Sequence, residues 1–218
     1  MSTVTGTKQT DSTNSIVRFG AHFLSFAFHP LFIASYTTAF LLYVHPYVFS
    51  GFPVGLKFFR IVSVIFNTAF VPIFAVFLMW RLKLVESMYL RTQKDRIIPL
   101  IIATIFYFWI MYVSKNLPEN PEIFSTFLKG SFIAVCVTWF CNIFFKISMH
   151  AVAMGAVTTF FIIFSFIDDQ ASGLYLSIVI LLTGLVTTAR FIVSDHSARE
   201  IYWGLFFGAL SQLVGFFV

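Results

Sequence analysis

Charge is what this chain has least of: Asp, Glu, Lys and Arg together make up 11% of its 218 residues. A soluble domain carries about 25%, so a water-exposed globular surface is excluded. Cysteine is nearly absent too. Cys136 and Cys141 lie in one apolar run, about 140° apart around a helix, so they neither bridge each other nor form a metal motif, and both read as packing residues. No extended Lys/Arg run occurs, which argues against a nucleic-acid partner. The net charge of +5 and the pI near 9.3 suit loops that touch anionic lipid headgroups. Residues 1–15 (MSTVTGTKQTDSTNS) lack the basic start, apolar stretch and small-residue cleavage site of a secretory signal, and are expected to be a short disordered tail. No internal repeat is visible, so residues 16–218 read as a single domain.

What is present is apolar surface. The chain is 59% hydrophobic, contains 31 Phe and has a mean hydropathy of +0.90, more than a soluble core of this size could bury. Runs long enough to cross about 30 Å of hydrocarbon fall at 24–44, 61–80, 97–114, 125–145, 149–167, 174–193 and 200–218. The expected fold is therefore all-α: a polytopic transmembrane helical bundle of six to seven spans. Segment 16–23 reads as an amphipathic lead-in along the surface. Pro72 is expected to kink the second span, and Arg60 and Lys129 to snorkel from run ends. Ala151, Ala153, Gly155 and Ala156 should let the fifth span approach its neighbours closely.

Seven crossings put the 81–96 loop, the 146–150 junction and the 194–199 turn on one side of the membrane. There lie Arg91, Lys94 and Arg96 before Pro99, then Lys146, Ser148 and His150, then Arg190, His196 and Glu200. The opposite loops carry Pro and acidic residues, among them Glu119, Glu122, Asp168 and Asp169. A guanidinium holds two phosphate oxygens at once, and an imidazole suits attack on, or protonation of, a phosphoryl group near neutral pH. In an apolar chain such a cluster points to a lipid phosphate. Intramembrane charge and repeats, the marks of a transporter, are lacking.

Arg190, five residues, His196, three residues, Glu200, preceded by Ser148-Met149-His150 at a helix head, resembles the type-2 phosphatidic acid phosphatase superfamily of membrane lipid phosphatases. The resemblance covers 81–218. In that family's third motif, Ser-Arg-x5-His-x3-Asp, Ala189 here replaces Ser and Glu200 replaces Asp. In the second, Pro-Ser-Gly-His, Ile147 and Met149 stand where Pro and Gly belong. The first, Lys-x6-Arg-Pro, has only a loose substitute in Arg91, Lys94, Arg96 and Pro99.

The resemblance implies the core fold of that superfamily and a two-step displacement. His196 would attack phosphorus to give a phosphohistidine, oriented by Glu200; His150 would protonate the leaving alcohol and then activate water. Arg190, Arg96, and Arg91 or Lys94 would neutralise the phosphoryl oxygens, with Ser148 adding a hydrogen bond. The scheme needs no metal and no cofactor. Membrane lipids are the implied partners; apart from the resemblance, a multi-pass chain without a signal peptide suits a bacterial inner membrane.

Plainer readings stand beside these. Ser197-x-x-Glu200 is also a helix capping box, which could occupy Glu200. His150 could be an interfacial residue, and Arg91, Lys94 and Arg96 ordinary anchors on a cytoplasmic loop. His22, His29 and His45 have no such company and read as interfacial or turn residues. The departures from the motifs leave a catalytically impaired, phosphate-binding protein as the alternative, with transport or scaffolding behind it. Lys and Arg number ten on the motif side and four opposite (Lys57, Arg60, Lys115, Lys129); four of the ten would be held by phosphate, so the bias toward a cytoplasmic site is weak.

Overall fold

In a computed structural model the described residues are 7–90, 92–168, 173–193 and 196–218, with side chains from Ser15 onward. They form helices and no strands: α1 (Thr7–Ala27), α2 (Pro30–Ala39), α3 (Val54–Ile65), α4 (Val71–Arg81), α5 (Ile97–Lys115), α6 (Glu122–Phe144), α7 (Met149–Ile167), α8 (Gly173–Val193) and α9 (Ala198–Phe217). Six helices are long and apolar enough to cross a bilayer, α3 and α4 counting as one 28-residue span; a bent pair, Ser15–Ala27 and Pro30–Val44, makes a seventh if it is a single span. The chain is an all-α, multi-pass membrane protein.

The first run departs from expectation. Helix α1 begins at Thr7, inside the stretch read as a polar tail, and extends to Ala27. It then bends by 63° into α2. The break has a local cause: Pro30 occupies the first turn of α2, and the residue before a proline is driven out of the helical region, as His29 is at ψ 137°. Ala21 and Ser25 are buried, while Ile16, Phe19, Phe23 and Phe26 are exposed on the other side of α1. An apolar outer stripe of this kind faces lipid.

Pro72 does not break its span. A π-helical turn, Phe66–Phe70, precedes it and absorbs the amide that proline cannot supply, so the helix continues from Val54 to Arg81. Along this span Phe66, Phe70, Phe74 and Phe77 form a row of stacked, exposed rings. The span also starts seven residues earlier than the apolar run, because Arg60 is buried rather than snorkelling. Its guanidinium donates to Glu119 Oε1 at 2.7 Å and to Asn120 Oδ1 at 2.8 Å. At the same end of the bundle His45 meets Asp168 at 3.1 Å. Its Nδ1 accepts from the Tyr47 and Val48 amides, so Nε2 carries the proton given to the carboxylate.

These clasps tie together the loops remote from the motif segments. Arg60→Ala leaves Glu119 without its cation, and an expected loss of about 1–3 kcal/mol, moderated because Glu119 is partly exposed, should appear as a lower midpoint of thermal unfolding in detergent. An unchanged midpoint would show that the pair contributes nothing.

Helix α9 holds the motif end together. It lies against α7 along glycines on both sides: a Cβ at Gly155 would collide with the Leu205 carbonyl, and one at Gly208 with the Val152 carbonyl. Gly204 sits against Ala151 and the Ser148 carbonyl. Backbones this close exchange dispersion contacts that larger side chains would prevent, as small-xxx-small faces do in bilayers. A second close crossing, Gly215 on Gly130, fixes α9 to α6. Cys136 is half-buried and Cys141 buried, both as free thiols.

Candidate functional site

At the end of the bundle where α6 passes to α7 and α8 to α9, three separate stretches of chain meet. The joining bonds come from the backbone first. Phe145 is extended and ends α6, and Ser148 caps α7, its hydroxyl accepting from the Ala151 N–H at 3.5 Å. The Ser148 N–H donates to the Glu200 carbonyl at 3.4 Å, which pins the head of α7 to the head of α9.

On α9 the capping box divides its labour. The Ser197 hydroxyl accepts from the Glu200 N–H at 3.4 Å, while the Glu200 carboxylate takes the His196 Nδ1–H at 2.6 Å. The serine thus caps α9 while the Glu200 carboxylate bonds the imidazole. With Nδ1 bonded to a carboxylate, Nε2 is the lone-pair nitrogen of the neutral ring. A carboxylate partner by itself raises an imidazole pKa. Here burial of the ring, 5% exposed, holds the His196 pKa below the ordinary histidine value against the opposing pull of Glu200; Arg96 and Lys146 push in the same direction as burial.

That balance makes a pH prediction. If neutral His196 is the working form, the acid limb of kcat/KM falls below the usual histidine range. Glu200→Gln removes the one group that raises the pKa, so it should shift that limb further toward acid while lowering the rate roughly 10²-fold, the scale of a lost acid–base partner. A limb that stays in place would separate Glu200 from the titrating group.

The 82–96 loop delivers Arg96. Reciprocal amide bonds between Gln93 and Asn142 tether the loop to the end of α6. Leu90 adopts the left-handed region, φ 48°, and its carbonyl accepts from Arg96 Nε at 2.9 Å. Arg96 Nη1 also donates to the Ile147 carbonyl at 3.4 Å. So Arg96 is buried and braced by backbone carbonyls, and the Arg96 charge reaches both His196 and Glu200. Lys94 is exposed, and Arg91 lies outside the described residues.

His150, one position into α7, directs Nε2 at the Ser25 carbonyl of α1, 2.9 Å away. A carbonyl only accepts, so Nε2 is protonated and Nδ1 holds the lone pair. Against His150 stands His29, ring centroids 5.5 Å apart and nearly perpendicular. Half-buried Arg190, in the last turn of α8, acts electrostatically on both imidazoles.

His29 is thus a site residue that sequence reasoning missed. A signal existed: His29 precedes Pro30 at a helix start on the motif side. Ser148 is the converse case. It was expected to meet phosphate, yet it is wholly buried and its hydroxyl serves the helix cap. As the N-cap it accepts the Ala151 N–H, a backbone donor that the first turn of α7 would otherwise leave unpaired.

Among the described residues the site brings together the guanidinium groups of Arg96 and Arg190, the Lys146 ammonium, the imidazoles of His29, His150 and His196, and the Glu200 carboxylate. Among the described residues no group of His, Cys, Asp and Glu could hold a metal ion. No protein-family model, curated protein or solved structure matches this chain.

Proposed function

We propose that the protein is a membrane lipid phosphatase of the type-2 phosphatidic acid phosphatase kind, hydrolysing a lipid phosphomonoester or diphosphate through a phosphohistidine. The observation that carries this reading is the 2.6 Å bond from His196 Nδ1–H to Glu200 within a cluster of Arg96, Arg190 and His150. A bacterial inner membrane is part of the same proposal, consistent with a multi-pass apolar bundle.

In the first step His196 Nε2 bonds to phosphorus as the phosphorus–oxygen bond to the lipid breaks. His150 enters this step doubly protonated, having taken a proton at Nδ1 as the anionic substrate binds; the leaving oxygen takes that Nδ1 proton, and the ring returns to the neutral form whose Nε2–H is held by the Ser25 carbonyl. Glu200 stays ionised and stabilises the imidazolium. Arg96 and Arg190 neutralise the phosphoryl oxygens. In the second step water gives its proton to His150 and attacks phosphorus, releasing phosphate and neutral His196. Arg91 and Lys94 would add long-range attraction for the anionic headgroup.

The substrate classes that fit are phosphatidic acid, phosphatidylglycerol phosphate, a polyprenyl diphosphate or a lipid A phosphate. The experiment is release of inorganic phosphate from that panel by the purified protein in detergent. Turnover of one or more supports the enzyme. A second reading, a protein that binds lipid phosphate without hydrolysing it, draws on the burial of Ser148 and the Ser25 bond that holds His150; binding of the panel without release would favour it.

A further inference from the structure

Below the imidazoles an open groove of about 330 Å³ runs down the bundle between α2, α7 and α8. On α7 its wall is Met154, Val157 and Phe161, four, seven and eleven residues beyond His150 and on the same helical face. On α8 it is Tyr175, Val179 and Leu182, on the side of the helix that ends in Arg190. Phe28, next to His29, closes the top on the α2 side. The groove thus follows the faces of α7 and α8 that carry His150 and Arg190 further along each helix, with Phe28 beside His29 at its upper end.

The walls make no demand for water. The Tyr36 hydroxyl donates to the Ala27 carbonyl at 2.9 Å, and the Thr37 hydroxyl to the Ile33 carbonyl at 3.0 Å. Apolar hollows of this kind stay dry and take hydrocarbon. From His150 to Phe161 the helix rises about 16 Å, roughly half the ~30 Å hydrocarbon thickness and so the depth of one leaflet's chain. The neighbouring cavity between α2, α5, α6 and α7 holds about 100 Å³, too little for such a chain.

We propose that this groove binds one aliphatic chain of the phosphorylated lipid, threading it between α2, α7 and α8 so that its headgroup lies at His29, His150 and Arg190. The proposal rests on the phosphatase reading for the identity of the headgroup. Positive charge at this end of the bundle selects an anionic lipid over the zwitterionic bulk, and the apolar walls add a dependence on the length of its chain.

The full-length protein, in nanodiscs of phosphatidylcholine, is to be photolabelled with phosphatidic acid carrying a diazirine near one chain end, and separately with phosphatidylcholine carrying the same chain. The expected result is labelling at Phe161, Tyr175 or Val179, at least tenfold stronger with phosphatidic acid and displaced by unlabelled phosphatidic acid. Equal labelling by both lipids, or phosphatidic acid label confined to other helices or to a contact between two copies, would overturn the groove. Selective labelling without phosphate release would keep the groove and sink the hydrolase. In turnover, Val179→Trp should lower kcat/KM at least tenfold for long-chain phosphatidic acid relative to a four-carbon analogue; an equal fall for both would also count against it.

Discussion

Phosphate release by the His196→Ala protein is expected at background, a loss of at least ~10³-fold relative to the unmodified protein, because removal of a nucleophile removes the covalent route altogether. The fold should survive this change. His196 lies outside α9, before its capping residue Ser197, and its ring bonds to the Glu200 side chain, so truncation disturbs neither the Ser197 cap nor the backbone bond from Ser148 to Glu200. Thermal unfolding in detergent should therefore change far less than activity. The loss should also exceed that of Glu200→Gln, since the carboxylate acts on phosphorus only through the ring. Equal turnover by the two proteins would place the nucleophile elsewhere.

The largest structural effect is expected at the α7–α9 seam. Gly155→Leu or Gly208→Val would drive a side chain into a facing backbone carbonyl, Leu205 or Val152, which cannot rotate away. Separating the helices forfeits their close packing along the seam and pulls the head of α9, with His196 and Glu200, away from the head of α7, with Ser148 and His150. Little folded protein should be recovered, and any that remains should lack the site. Gly184→Ala on α8, where an added Cβ meets nothing within 4 Å, is the control and should be neutral or slightly stabilising. Size-exclusion profiles in detergent read both. A monodisperse Gly208→Val protein with normal melting would mean that the seam yields.

Much of this was legible in the residues. Long apolar runs gave the helices of the bundle, and their parity placed the three motif segments at one end, where the Ser148–Glu200 and Arg96–Ile147 bonds and the mutual electrostatics of His150 and His196 also bring them. What escaped depended on distance across the fold. Arg60 looked like a snorkelling charge at the end of an apolar run because Glu119 is remote in sequence, and only their pairing lets the helix start earlier. His29 looked isolated because its company, His150 and Arg190, arrives from α7 and α8. The small residues of α7 were visible, but not that Gly204 and Gly208 of α9 answer them. The depressed His196 pKa could not be read from a carboxylate four residues on, since burial is a property of the whole assembly.

The most direct test of the central claim is to quench the protein during turnover of a phosphate-labelled lipid and map the acid-labile, alkali-stable label by mass spectrometry. The account predicts phosphate on His196, absent from His196→Ala and longer-lived when His150→Ala slows the attack of water. Turnover with no phosphorylated histidine, or with the label on any other residue, would contradict it.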